Sequence, residues 1–227
     1  MNEIKIKKIK IFGERNSGTN FLEQLIQKNV KNIELYSSYY KGGSGWKHGY
    51  PKLNLFKHKQ DNTLFIFIIR DLENWLNSMY KRPYHIKKGN NIDTFLTDKI
   101  KPNDKRKDHD INIVNEEINL TIFELRYKKI KSYLDAFSHI NNGMIINLED
   151  LQLDYGKNFI VKLNSEFKLP ITSKFIYILK HTKTNKKEQN EKISIKLNSK
   201  IINNRKDSKI ESFVNGLKKS FFIKSSV

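Results

Sequence analysis

At 227 residues, 37% hydrophobic and 30% charged, the chain is long enough to bury one sizeable α/β core. It contains no cysteine, which excludes disulfide cross-links, thiolate catalysis and Cys-ligated zinc, and fits a reducing compartment. Its 43 Lys and Arg against 24 Asp and Glu give a formal charge of +19, spread along the whole chain, so the charge predicts attraction of anions rather than a localised nucleic-acid interface.

The first predicted element is an extended segment over 4–12, closed by the loop Gly13-Glu14-Arg15-Asn16-Ser17-Gly18. A helix follows over 18–29, with Phe21, Leu22, Leu25 and Ile26 on one face, and then a short strand near 33–36. A glycine-rich loop leads into Trp46-Lys47-His48-Gly49. The unbroken apolar run over 64–69 reads as a strand buried on both faces of a parallel sheet; Arg70 ends it, and Asp71 caps a helix through Trp75, Leu76 and Met79. Residues 87–114 are polar and aperiodic, which predicts a long loop. Helical patterning resumes over 115–138, a strand over 143–148 follows, and one helix is predicted over 149–167. The pattern weakens over 171–227, where a strand over 175–179 and a helix over 207–222 are predicted.

This alternation predicts a single α/β domain over 1–227: a mostly parallel sheet flanked by helices, with ligands at the carboxyl ends of its strands. That rule brings the 13–20 loop, the 46–49 segment and Arg70 towards one crevice. No apolar run approaches the roughly 18 residues needed to span a bilayer, and the N-terminus alternates Ile with Lys, so no membrane span and a cytoplasmic location are expected.

A strand that ends in a glycine-bracketed loop and opens a helix presents backbone N–H groups and the positive end of the helix dipole, which suits a phosphate. Gly13 and Gly18 have the glycine spacing of the nucleotide-hydrolase P-loop, G-x-x-x-x-G-K-[ST]. Thr19 stands where that motif has its lysine, and Asn20 where it has its Mg²⁺-binding hydroxyl, so a phosphate-like group handled without a metal is expected.

Three motifs in order resemble the sulfotransferase family that uses 3′-phosphoadenosine 5′-phosphosulfate, with its P-loop NTPase-like fold. Arg15-Asn16-Ser17-Gly18-Thr19-Asn20-Phe21-Leu22 is similar to the family's 5′-phosphosulfate loop, P-[KR]-S-G-T-[TS]-W-[LF]. The strand that ends at Arg70, with Ser78 in the next helix, resembles the 3′-phosphate-binding segment. Asn147-Leu148-Glu149-Asp150-Leu151 resembles R-Y-E-D-L, and Glu166-Phe167-Lys168-Leu169 resembles F-L-G-L. The resemblance implies a sulfotransferase that moves a sulfuryl group to a hydroxyl or amine acceptor, a small molecule or a carbohydrate, with adenosine 3′,5′-bisphosphate as product and no metal. It implies cofactor contacts at Arg15, Asn16, Ser17, Gly18, Thr19, Asn20, Phe21, Arg70 and Ser78.

The chain departs from the family where Asn16 replaces the basic residue before the loop serine, leaving open whether Arg15 or Asn16 meets the transferring group. Phe21 replaces an adenine-stacking tryptophan. The family's R-K-G element is absent, with Lys180, His181, Lys183 and Arg205 as alternatives. Sulfuryl transfer needs a base for the acceptor proton and cations for the leaving phosphate. His48 is the first candidate base, Glu14 the second and His85 the third, with Lys47 and Arg15 holding the phosphosulfate. Two other readings remain open on sequence: a P-loop-like kinase and a basic nucleic-acid-binding module.

Overall fold

The computed structural model describes residues 6–36, 45–52, 62–83, 86–87, 90–101, 120–178, 199–205, 207–217 and 221–225. The strands are β1 (Lys8–Gly13), β2 (Glu34–Tyr36), β3 (Thr63–Ile69), β4 (Gly143–Asn147) and β5 (Phe222–Lys224). Between them run α1 (Thr19–Asn29), α2 (Leu72–Lys81), α3 (Ile92–Thr97), α4 (Ile122–Ser138), α5 (Leu148–Leu153), α6 (Lys157–Phe167), α7 (Ser199–Arg205) and α8 (Ser208–Gly216). The fold is α/β: a five-stranded sheet in the order β2-β1-β3-β4-β5, parallel except where β5 meets β4 antiparallel.

Every residue of β3 is buried, because its alternating side chains feed two cores. Ile9, Ile11, Leu64, Ile66, Ile68, Met144 and Ile146 pack under α1, α5 and α6. On the other face Phe12, Phe65, Phe67, Ile69 and Ile145 pack under α4 and α8. Phe12 and Phe67 stack at 5.6 Å, and Tyr133 of α4 closes over both at 6.5 and 5.8 Å. A third apolar cluster joins Trp75 and Leu76 of α2, Phe95 and Leu96 of α3, Ile122 and Phe123 of α4, and Ile202 of α7.

β1 pairs with β2 on one side and β3 on the other, so the chain reverses its direction of travel across the sheet at the β1/β3 pair. In open α/β sheets that switch point, at the carboxyl ends, is where a crevice forms. Among the described residues no helix is long and apolar enough to cross a membrane.

Several expectations need correction. The 87–114 stretch is not all loop: α3 lies within it, held by an Asn91–Thr94 capping box that outweighs its polar surroundings; 102–119 lie outside the described residues. The predicted 149–167 helix is two helices. Tyr155 (φ 57) and Gly156 (φ 83) turn left-handed there, and the bare Gly156 admits Leu25 of α1 where a Cβ would collide with it. Over 175–178 no ladder forms. The Asn29 side chain replaces a neighbouring strand, donating to the Ile176 carbonyl (2.9 Å) and accepting from its N–H (2.7 Å). The helix predicted over 207–222 ends at Gly216, and its last residue is instead the first of β5.

Candidate active site

The 13–18 loop is braced from within by Ser17 and from outside by segments distant in sequence. Ser17 is fully buried, and its N–H and hydroxyl both donate to the Glu14 carbonyl, at 3.1 and 2.6 Å. Gly13 is required by packing: a Cβ there would sit 2.5 Å from Ser17 Oγ and 2.6 Å from Ile68 Cγ2. Gly18 holds φ 90, and a Cβ there would meet Leu148 at 2.5 Å. Both glycines therefore serve the close approach of protein to protein, a different reason from the ligand approach that the loop pattern suggests. Thr19 is buried, Asn20 is exposed, and Phe21 is half-buried against the β1–α1 core.

α1 has no side-chain cap and no acidic residue in its first turn, so its leading amides and dipole are left for an anion. α6 also starts from a left-handed glycine, yet Asp154 satisfies its first turn by accepting from the Gly156 and Asn158 N–H groups at 3.0 and 2.7 Å.

The three sequence-distant segments do meet. Gly13 N–H donates to the Lys47 carbonyl (2.9 Å), and His48 Nδ1 lies 2.9 Å from the Gly13 carbonyl. Because a carbonyl only accepts, Nδ1 carries the proton, and a neutral ring then has its lone pair on Nε2. His48 is half-buried as a residue, its ring edge-on to Trp46 at 4.8 Å, and the Arg15 guanidinium lies 4.6 Å over the Trp46 ring. Burial, helped by Arg15, Lys47 and Lys129 and opposed by the bond to Gly13, pushes His48 down to about 3. Lys47 is engaged with α1, 2.6 Å from Asn20 Oδ1 and 2.9 Å from Glu23 Oε2.

Arg70 and Ser78 are in contact. Arg70 Nη1 donates to Ser78 Oγ (2.8 Å) and to the Asn16 carbonyl (3.0 Å), and Arg70 Nε faces Glu149 at 3.4 Å. Glu149 also accepts from the Asp71 N–H (3.1 Å) and Asn74 (2.9 Å), so the Glu-Asp-Leu segment after β4 reaches the same corner. Asn16 (φ 63) commits its amide to the end of α2, donating to the Arg82 carbonyl (3.0 Å), with Met79 Sδ at 3.1 Å. Of the two residues before Ser17, Arg15 is therefore the one with a cation at the Trp46–His48 wall.

Glu14, the second candidate base, is 2% exposed and paired with Arg126 at 2.8 Å. Burial raises it to about 7 against the attraction of Arg126. That makes it part of the loop's foundation, buried and held by Arg126. Arg205 is engaged elsewhere, donating to the Thr97 carbonyl at 3.4 Å. His85, Lys180, His181 and Lys183 lie outside the described residues.

Three buried cations escape a sequence reading. Lys10, fully buried in β1, donates to the Gly45 carbonyl (2.6 Å), and burial lowers it to about 8. Arg126 and Lys129 occupy core positions of α4, and Lys129 Nζ donates to the His48 carbonyl at 2.7 Å. A signal exists: both fall on the stripe of Ile122, Leu125, Tyr133 and Ala136, where a helix facing its core carries apolar residues. In a chain so rich in lysine, that signal is hard to separate from background.

No protein-family model, curated protein or solved structure matches the chain, so the chemistry rests on its own residues.

Proposed function

We propose that the chain is a sulfotransferase of P-loop-like architecture, moving a sulfuryl group from 3′-phosphoadenosine 5′-phosphosulfate to a hydroxyl or amine acceptor, with carbohydrate hydroxyls among its candidates. The observation that carries the reading is the Arg70 guanidinium, bonded at once to Ser78 Oγ and to the backbone of the phosphate-type loop. Two anion-binding groups thus adjoin: a loop with an uncapped helix start, and an arginine–serine pair. A ligand with phosphates at both ends of one nucleoside matches that pairing.

The donor set suits this cofactor. Arg15, Lys47 and the first amides of α1 would hold the 5′-phosphosulfate, and Arg70 with Ser78 the 3′-phosphate. When bound, the cofactor would supply the sulfuryl group, its bond to the 5′-phosphate oxygen breaking as the acceptor's oxygen or nitrogen bonds to sulfur. His48 Nε2 takes the acceptor proton, its ring aimed by the Nδ1–H bond to Gly13. Arg15 and Lys47 stabilise the charge that gathers on the departing phosphate. Ser17 supports the loop, since its one hydroxyl proton is committed to Glu14.

Titration calorimetry with adenosine 3′,5′-bisphosphate and with MgATP tests the reading. Binding of the bisphosphate is expected, weakened roughly 10- to 100-fold by Arg70→Ala, the scale of a lost hydrogen bond to a charged group. Absence of bisphosphate binding, or Mg²⁺-dependent ATP turnover, refutes it. Salt-sensitive binding of any nucleic acid that survives Arg70→Ala, with no bisphosphate affinity, would favour a nucleic-acid module.

A further inference from the structure

One guanidinium ties together four segments far apart in sequence. Arg126 of α4 is 1% exposed; its Nη1 donates to Glu14 Oε2 (2.8 Å), its Nη2 to the Arg70 carbonyl (2.8 Å), and its Nε and Nη2 to the two Glu211 oxygens (2.8 and 3.3 Å). Glu14 immediately precedes Arg15 in the loop, and Arg70 is the residue whose side chain meets Ser78. The Trp75 ring lies 5.2 Å from the guanidinium, and its Nε1 donates to the Arg15 carbonyl at 2.9 Å. One turn along α4, Lys129 holds the His48 carbonyl.

The Arg126 side chain is buried away from any ligand, yet it grips the backbone or flank of both anion-binding groups. Its planar fork reaches two carboxylates and a carbonyl in fixed directions, which a lysine's single ammonium cannot reproduce. α8 is drawn in through Glu211, while Ile210 and Val214 of the same helix anchor it in the core.

We infer that Arg126 is a positioning residue that sets the separation between the loop's anion site and the Arg70–Ser78 site, and that Glu211 of α8 is required to hold it there. The inference rests on the proposed function for the identity of the ligand. A nucleoside carrying two phosphates senses that separation, because its second contact is intramolecular once the first is made; a monophosphate does not.

The test compares adenosine 3′,5′-bisphosphate, adenosine 5′-phosphate and adenosine 3′-phosphate by calorimetry on the full-length wild type, Arg126→Lys and Glu211→Gln. Arg126→Lys keeps the charge, so long-range attraction is conserved. It is expected to weaken the bisphosphate roughly tenfold or more and each monophosphate by less than about threefold. Glu211→Gln, which leaves the bonds to Glu14 and Arg70 in place, moves the same ratio in the same direction by a smaller factor and decides the matter if Arg126→Lys does not fold. An equal loss for all three ligands, or an unchanged ratio, overturns the positioning role while leaving the proposed function intact. A wild type that ignores the bisphosphate overturns the proposed function and this inference with it.

Discussion

His48 is a residue whose protonation its surroundings shift far from the ordinary value. Burial and the cations Arg15, Lys47 and Lys129 hold it near 3, so the free protein presents a neutral imidazole that is a weak base. An anion bound among those cations would cancel their repulsion and raise the proton affinity of His48, so on the proposed function the ring becomes a stronger base with the nucleotide bound. Imidazole resonances followed by NMR against pH are expected to titrate at a clearly higher pH with adenosine 3′,5′-bisphosphate than without it; an unmoved titration would separate His48 from the anion site. The same depression links to stability. The unfolded chain protonates His48 near 6.5 and the folded one near 3, so unfolded molecules bind more protons in between, and this contribution, complete above about 6.5, is lost as pH falls towards 3. Chemical denaturation should therefore show a shallower acid-side loss for His48→Gln. Asn16 makes a second residue-scale case. A lysine there would match the sulfotransferase loop that the segment resembles but would forfeit the amide's bonds to α2 at a left-handed φ of 63. Asn16→Lys is expected to cost about 1–3 kcal/mol in urea unfolding without improving bisphosphate affinity.

Among the elements, the β1–α1 junction is the most constrained. Substituting Gly18 by alanine strains a φ of 90 and drives a Cβ to within 2.5 Å of Leu148 on α5, so a loss of about 1–3 kcal/mol is expected. Leu148→Val should recover part of the steric loss in a double-mutant cycle and none of the backbone strain. α4 begins with a Thr121–Glu124 capping box, so Thr121→Ala should cost about 1 kcal/mol by the same measurement. The contrast between α1 and α6 gives the junction its meaning. Asp154 satisfies the first turn of α6 from within the protein, whereas α1 is given neither cap nor carboxylate, a local shortfall that an anionic ligand would make good.

For the whole molecule, a formal charge of +19 predicts that association with a multiply charged anion slows as salt rises, which stopped-flow kinetics at increasing ionic strength would measure. The sequence by itself determined the parallel strand-and-helix order, the doubly buried β3 and the loop at the end of β1. Each is written in a local pattern, apolar runs of strand length or apolar residues at helical spacing, that its own residues enforce. It also placed the loop, the 46–49 segment and Arg70 together, because a parallel sheet gathers its carboxyl ends. Local pattern failed where a partner from elsewhere settled the outcome. Gly156 breaks a helix to admit Leu25, Asn29 stands in for a strand beside Ile176, and β5 pairs with β4 across the chain. Only the tertiary structure decided that Asn16 serves α2 and that Glu14 is buried against Arg126. It alone showed that, among the described residues, the cations Lys10, Arg126 and Lys129 are buried. The reason is physical: a buried charge persists only where acceptors converge on it, and the acceptors of Arg126 come from segments as far as 112 residues away.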